Sequence, residues 1–149
     1  MSLYRQQAFI EAPIEVVWEL IADVDNHPSW WPRFIAVECA GLEEGCTYRA
    51  VMKAPIGTHE MTINVEELSD CEDLLIRCID TGTFVHMALT DVRGGTFVDG
   101  EAGMEAQDVG SRILDVIAGK RYFRAWMDET LTALDRVARD RAAGREKAA

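Results

Sequence analysis

The chain has 149 residues, of which 48% are hydrophobic and 28% charged, a balance typical of one globular domain and not of a disordered chain. Its formal net charge of −11 argues against nucleic-acid binding, which requires cations to replace phosphate counterions, and it disfavours anionic membrane surfaces. No apolar run approaches the roughly 18–20 residues of a membrane span, so we expect no stable membrane insertion.

Cysteine usage and the N-terminus indicate the compartment. The polar stretch Met1–Gln7 lacks the apolar core of a signal peptide, which predicts a cytoplasmic protein. None of Cys39, Cys46, Cys71 and Cys78 forms a C-x-x-C pair or a zinc-ligand spacing with a histidine. We therefore expect four reduced thiols, no structural metal and no cofactor.

The first third of the chain predicts a strand and two short helices. Leu3–Glu11 is strand-like, and Pro13 begins a helix to Ala22, with apolar residues at helical spacing. A very short second helix is expected at Pro28–Trp31, with His27 exposed in the preceding loop. Of Trp30 and Trp31, one should pack on the seam between helix and sheet, and the other either packs there too or lies at a cavity mouth.

Regular turn signals then divide the chain into six short strands. The predicted strands are Ala36–Ala40, Thr47–Lys53, Thr58–Leu68, Leu74–Asp80, Phe84–Val92 and Thr96–Ala106. The loops between most of them are too short to cross over to a parallel neighbour, so the pattern indicates an antiparallel meander.

Alternation assigns faces to three of these strands. The inward sets are Tyr48, Ala50 and Met52; His59, Met61, Ile63 and Val65; and Val98, Gly100, Ala102, Met104 and Ala106. The small residues of the last set either allow a helix to approach closely or leave a cavity. The facing of strands 74–80 and 84–92 stays open, because both of their faces carry apolar residues.

The C-terminal region predicts one long amphipathic helix over Ile113–Arg141. Its apolar stripe comprises Ile113, Val116, Ile117, Phe123, Met127, Leu131, Leu134, Val137 and Ala138, with Trp126 beside it. Gly119 either bends this helix or marks its start. We expect a single domain over residues 1–141 and a mobile tail over 142–149.

Two stretches carry a family resemblance: Ile10–Asp23, which reads IEAPIEVVWELIAD, and Asn26–Phe34, which reads NHPSWWPRF. They resemble the strand-to-helix opening and the Trp-x-Pro segment of the START/Bet v 1-like (SRPBCC) superfamily, in particular its polyketide cyclase/dehydrase and lipid-transport group. The resemblance implies an α+β helix-grip fold, with about seven antiparallel strands wrapped around a long C-terminal helix and two short helices after strand 1. It does not fix the activity.

The residues favour a binding module over an enzyme. The first hypothesis is intracellular binding of a small hydrophobic or amphipathic ligand, such as a lipid, isoprenoid or polyketide, by a monomer or homodimer. The alternative is a polyketide cyclase or dehydratase in which a pocket histidine moves protons. The predicted ligand-binding residues are Trp31, Tyr48, Met52, His59, Met61, Ile63, Met104, Phe123, Trp126 and Met127.

His59 is the candidate for proton transfer, since alternation places it one step from Met61 on the inward face. The favoured reading of His59 is nevertheless a structural histidine near a strand end. His86 is a weaker candidate for proton transfer, because the sequence does not decide which face of its strand it lies on. No serine or cysteine stands in a recognisable nucleophile arrangement, so no catalytic residue is assigned firmly.

Overall fold

The structure is a computed structural model that describes residues 2–54, 56–105 and 109–148, without the side chains of residues 2 and 109–118. Its helices are α1 (Ile14–Ala22), α2 (His27–Trp30) and α3 (Val109–Ala148), with a 3-10 turn at Val24–Asn26. Its strands are β1 (Ser2–Ile10), β2 (Phe34–Glu38), β3 (Thr47–Lys53), β4 (Thr58–Ser69), β5 (Asp73–Cys78), β6 (Thr83–Val92) and β7 (Gly95–Met104). The predicted order is confirmed, and the ends of the strands and short helices differ by at most about two residues.

The seven strands form one open antiparallel sheet in the order β1-β7-β6-β5-β4-β3-β2. Consecutive strands pair from β2 to β7, as short hairpin connections require, and β1 pairs beside β7 along its whole length. Between β6 and β7 only Arg93 and Gly94 turn the chain, and Gly94 has a φ of 89°, which favours glycine. The antiparallel meander predicted from the turn spacing is confirmed.

Alternate residues of the sheet build the core, as predicted for β3 and β7. Tyr48, Ala50 and Met52 are buried, and so are Val98, Ala102 and Met104, whereas Ala106 lies outside the described residues. The structure also shows which faces of β5 and β6 point inward, a question that the sequence left open. The core contains Leu74, Ile76 and Cys78 of β5 and Val85, Met87 and Leu89 of β6. Phe84 is buried outside that core cluster, with the Arg77 guanidinium 4.8 Å from its ring centroid.

Helix α3 is interrupted at Gly119, whose φ of 56° and ψ of −169° are not helical. After Gly119 most of the predicted stripe is buried: Phe123, Met127, Leu131, Leu134 and Ala138 are each at most 5% exposed, whereas Val137 is half-buried. The predicted stripe residues Ile113, Val116 and Ile117 have side chains outside the described set. Among the described residues, no helix is long and apolar enough to cross a bilayer.

The centre of β7 is close-packed against α3. A Cβ added at Gly100 would lie 2.7 Å from the Sδ atom of Met127, so glycine allows the methionine side chain to reach the sheet. Ala102 is fully buried two residues further along. The sequence left open whether the small residues of β7 allow a helix to approach closely or leave a cavity. At Gly100 they allow the helix to approach closely.

The helix continues through the segment predicted to be a mobile tail. Ala142 packs against the core, and the Arg145 guanidinium forms an ion pair with Glu19 of α1. Both partners are about half exposed, so this pair contributes little to the free energy of unfolding. The mobility of residues 142–149 stays a prediction.

Candidate ligand-binding site

Two small adjoining cavities lie between α3 and the sheet. One has a volume of about 30 Å³ and is lined by Met52, Lys53, Ala54, Met61, Thr81, Thr83, Met104, Tyr122, Phe123 and Trp126. The second, of about 20 Å³, is lined by Phe34, Met52, Met61, Ile63, Ile76, Cys78, Thr83, Phe84, Val85 and Trp126. The shared residues Met52, Met61, Thr83 and Trp126 make them two parts of one apolar region.

Flexible side chains line this region around one fixed ring. The indole Nε1–H of Trp126 donates a hydrogen bond to the carbonyl oxygen of Pro32 at 2.9 Å, which holds the ring in place. Met52, Met61 and Met104 contribute thioether chains with three rotatable bonds each, which adapt readily to irregular shapes. The cavity therefore has one rigid aromatic wall and several walls that can rearrange.

The polar groups of the cavity lie at its edge. The Tyr122 hydroxyl donates to the carbonyl oxygen of Lys53 at 3.2 Å, and the Thr81 hydroxyl donates to the Thr83 hydroxyl at 2.9 Å. Among the described lining residues there is no histidine, aspartate or glutamate. The described lining thus offers hydroxyls and the Cys78 thiol, but neither histidine nor a carboxylic acid, the side chains that most often transfer protons.

An open groove of about 540 Å³ joins the cavity at Lys53 and Ala54, which line both. Its other lining residues are Pro32, Arg33 and Glu129. The Arg33 guanidinium lies 4.5 Å from the centroid of the Tyr122 ring and 3.3–3.4 Å from the Glu129 carboxylate oxygens. Contacts between the Pro32–Arg33 segment and α3 therefore border the opening of the cavity.

Arg33 has an unusual backbone, with a φ of 78°. This left-handed conformation is uncommon for a residue with a Cβ and costs about 1–2 kcal/mol. The carbonyl oxygen of Arg33 accepts a hydrogen bond from the Lys53 N–H at 2.8 Å, and the β2–β3 register shifts between Phe34 and Ala36. The irregular start of β2 thus sets the position of Arg33 beside Lys53.

Six of the ten predicted ligand-binding residues line this region: Met52, Met61, Ile63, Met104, Phe123 and Trp126. Three others are buried but do not line it. Met127 packs at Gly100, Trp31 stacks with Trp30 at a centroid distance of 5.2 Å, and Tyr48 is 3% exposed. The core packing considered for both tryptophans is therefore observed.

His59 lies outside the cavity. It pairs with Met52 across β3 and β4 and so points to the predicted face, but at this end of β4 it is exposed. Its Nε2 atom lies 2.7 Å from the carbonyl oxygen of Ile56, which gives it a local structural partner. Its catalytic and ligand-binding roles stay predictions without geometric support.

The expectation that His27 is exposed was wrong, because this side chain is fully buried. Its ring packs against Trp31 and Phe34 at centroid distances of 4.6 and 5.5 Å, and its Nε2 lies 2.7 Å from the Ile21 carbonyl oxygen. Burial lowers the pKa of His27 to about 4, so the ring is neutral near pH 7. The short helix α2 packs on β2 and encloses it.

Some buried polar atoms have no hydrogen-bond partner among the described residues: His27 Nδ1, Trp31 Nε1, Tyr48 Oη and Thr130 Oγ1. Burial also raises the pKa of the Tyr48 phenol. None of the four residues lines the apolar region described above.

His86 belongs to a separate cluster on the sheet. Its Nε2 lies 3.3 Å from an Asp73 oxygen and 3.8 Å from a Glu67 oxygen, and these three groups could together hold a metal ion. Partly exposed carboxylates beside a histidine also form ordinary ion pairs. The cluster lies outside the cavity lining.

Sequence reasoning missed the edge of the cavity. Alternation could have placed Thr83 on the face of Val85 and Met87, because β6 is regular there. Arg33, Tyr122 and Glu129 come together only in the folded chain, and the Arg33–Glu129 contact spans 96 positions. No local pattern indicates such a contact.

Comparisons with known proteins agree with this architecture. The family model described as polyketide cyclase / dehydrase and lipid transport matches residues 1–139. A START superfamily protein from Mycobacterium smegmatis superposes with a TM-score of 0.76 at 10% identity, over 94% of this chain and 99% of that one. The Zhui aromatase/cyclase from Streptomyces sp. R1128 gives a TM-score of 0.69 at 14% identity, over 93% and 94%.

The di-domain ARO/CYC StfQ from the steffimycin biosynthetic pathway is also similar, with a TM-score of 0.71 at 15% identity. That match covers 98% of this chain and 52% of StfQ. A search of the curated proteins gives no match. At these identities the structural similarities show the shared helix-grip fold.

Proposed function

Because this chain belongs to the polyketide cyclase/dehydrase and lipid-transport family, we propose that it binds a small hydrophobic or amphipathic molecule between the sheet and α3. The observation that carries this proposal is the apolar cavity lined by Met52, Met61, Met104, Phe123 and Trp126. Lipids, isoprenoids and polyketides are the ligand classes that suit such a lining. We place this binding in the cytoplasm.

The cavity must enlarge to accept such a ligand. Its volume of about 30 Å³ corresponds to roughly one water molecule, whereas sites for drug-sized ligands hold about 300–1,000 Å³. The methionine chains can change rotamer, and the edge at Tyr122 is held by one hydrogen bond to the Lys53 carbonyl. Binding would therefore couple entry of the ligand to rearrangement of these side chains.

Binding has better support than cyclisation or dehydration. Either reaction requires a group that moves protons inside the pocket, and such groups are most often histidine or a carboxylic acid. The described lining has neither, and the three histidines lie elsewhere. The cyclase/dehydratase remains the alternative that the family offers.

The proposal is tested by comparing binding of the neutral fluorescent probe Nile red to the parent protein and to a variant in which a larger side chain fills the cavity. Thr83 lines both parts of the apolar region, so Thr83→Phe should occupy the space and abolish the Nile red fluorescence that the parent protein produces. Circular dichroism and the melting temperature should show that the variant remains folded. Native mass spectrometry of freshly purified protein should detect a co-purified apolar ligand in the parent but not in Thr83→Phe.

The matched control is Thr90→Phe, which adds the same group at an exposed position of the same strand. It should bind Nile red as the parent does. Absence of both probe binding and co-purified ligand in the parent protein, or undiminished binding by folded Thr83→Phe, would contradict the proposal.

A further inference from the structure

We propose that the outer face of the sheet binds a divalent transition-metal ion, with Zn²⁺ as the best fit, through His86, Asp73 and Glu67. This site is separate from the apolar cavity and does not depend on the proposed function. The inference follows from the distances between the three donor atoms, from the strands that position them, and from the charges around them.

The three donor atoms have nearly the spacing of zinc ligands. His86 Nε2 lies 3.3 Å from an Asp73 oxygen and 3.8 Å from a Glu67 oxygen, and all three atoms lie within 4.8 Å of one another. Tetrahedral zinc binds imidazole nitrogen and carboxylate oxygen at about 2.0–2.2 Å, which separates neighbouring ligand atoms by about 3.3–3.6 Å. A small rotation of the Glu67 side chain, which is about half exposed, completes the fit, and water takes the fourth position.

Three paired strands hold these side chains around Leu75. His86 of β6 and Glu67 of β4 lie opposite Leu75 on its two sides, and Asp73 lies two residues from it on the same face of β5. Val65 is fully buried, so regular alternation would turn Glu67 inward as well. The β4–β5 register shifts between Val65 and Glu67, and this irregularity turns Glu67 to the outer face.

The local charge favours a cation at this position. Two nearby carboxylates already have a guanidinium partner, in the pairs Glu66–Arg77 and Asp99–Arg5. Among the ion pairs of the described side chains, none joins Asp73 or Glu67 to a lysine or an arginine. Glu101 lies opposite His86 on β7 and adds a further negative charge, so a divalent ion would relieve repulsion between carboxylates.

The sequence gave no sign of this site. The expectation of no structural metal depended on the spacing of cysteines and histidines along the chain. Positions 67, 73 and 86 lie on three different strands, and only the pairing of β4, β5 and β6 brings their side chains together.

The test is calorimetric titration of Zn²⁺ into the full chain without an affinity tag. The parent protein should bind one Zn²⁺ per chain, and His86→Gln should weaken this binding by about 100-fold or more. Loss of a ligand costs more than loss of its outer hydrogen-bond partner, which costs about 10–100-fold. Zn²⁺ should also raise the melting temperature of the parent but not that of His86→Gln, whose melting temperature without metal should match the parent's.

His59→Gln is the matched control, because it removes an exposed histidine from the same sheet, near the start of β4. It should bind Zn²⁺ as the parent does. Co²⁺ should give a spectrum without a thiolate charge-transfer band, which distinguishes this site from binding by the cysteines. Absence of saturable Zn²⁺ binding, undiminished binding by His86→Gln, an equal loss in His59→Gln, or a thiolate band would each overturn the inference.

Discussion

At the scale of single residues, burial changes the acid–base chemistry of His27. An imidazole enclosed by Trp30, Trp31 and Phe34 keeps one hydrogen bond, to the Ile21 carbonyl, and has no room for hydration. Burial therefore disfavours its charged form and lowers its pKa to about 4. This links protonation of His27 to unfolding.

The free energy of unfolding should therefore contain a pH-dependent contribution from His27. The unfolded chain protonates this histidine below about pH 6.5, but the folded protein protonates it only below about pH 4. The contribution, about 3 kcal/mol, is complete above pH 6.5 and is lost as the pH falls from 6.5 to 4.

Urea denaturation of the parent and of His27→Gln at pH 7 and pH 4.5 measures this contribution. The parent should lose about 2–3 kcal/mol more than the variant between these pH values. Acidic residues titrate in both proteins and largely cancel in the comparison. His59→Gln, which removes an exposed histidine, should keep the parent's pH dependence, and an equal loss in all three proteins would contradict the role of His27.

At the scale of elements, glycines determine where two backbones can approach. Gly95 begins β7 beside the end of β1, and a Cβ there would lie 2.3 Å from the Ile10 carbonyl oxygen. Gly144, on the last turns of α3, has nothing within 4 Å of such a Cβ. The same substitution should consequently have opposite effects at the two positions.

Gly95→Ala should lower the free energy of unfolding by about 1–3 kcal/mol or more, because a backbone oxygen cannot yield as a flexible side chain can. Gly144→Ala should leave it unchanged or raise it by up to about 1 kcal/mol, since alanine favours helix. Chemical denaturation of both variants checks these signs. A neutral Gly95→Ala would show that β1 can shift away from β7 at little cost.

At the scale of the whole molecule, α3 joins the sheet, α1 and the cavity. Its buried stripe packs on the core, Tyr122 and Glu129 contact Lys53 and Arg33, and Arg145 reaches Glu19. The hydrogen bond of Trp126 near the cavity is part-buried, whereas the terminal ion pair is exposed. Residues at the end of the helix should therefore contribute least to the free energy of unfolding.

Removal of residues 144–149 should change the free energy of unfolding by less than about 0.5 kcal/mol, the usual range for exposed changes. Urea denaturation of the truncated and full-length chains measures this. The charge-matched comparison is Arg145→Gln in the full-length chain, which removes only the ion pair with Glu19. A loss well above 1 kcal/mol on truncation would show that the last turn is docked.

The sequence by itself determined the order of elements, the antiparallel pairing and most of the core faces. These features depend on local signals: turn residues close hairpins, side chains alternate in strands, and the Phe123–Ala138 stripe repeats with the helical period. Six of the ten predicted ligand-binding residues line the cavity for the same reason. Alternation assigns the four on strands to the inward face, and the helical stripe accounts for Phe123 and for Trp126 beside it.

Tertiary structure alone decided how deep each of these side chains lies. His59 and Ile63 share one face of β4, yet only Ile63 is covered, because burial depends on which neighbours extend over a position. His27 is enclosed because α2 packs on β2, and Arg33 meets Tyr122 and Glu129 only through the position of α3. Periodicity specifies direction within one element, whereas burial and long-range contacts depend on how separate elements pack together.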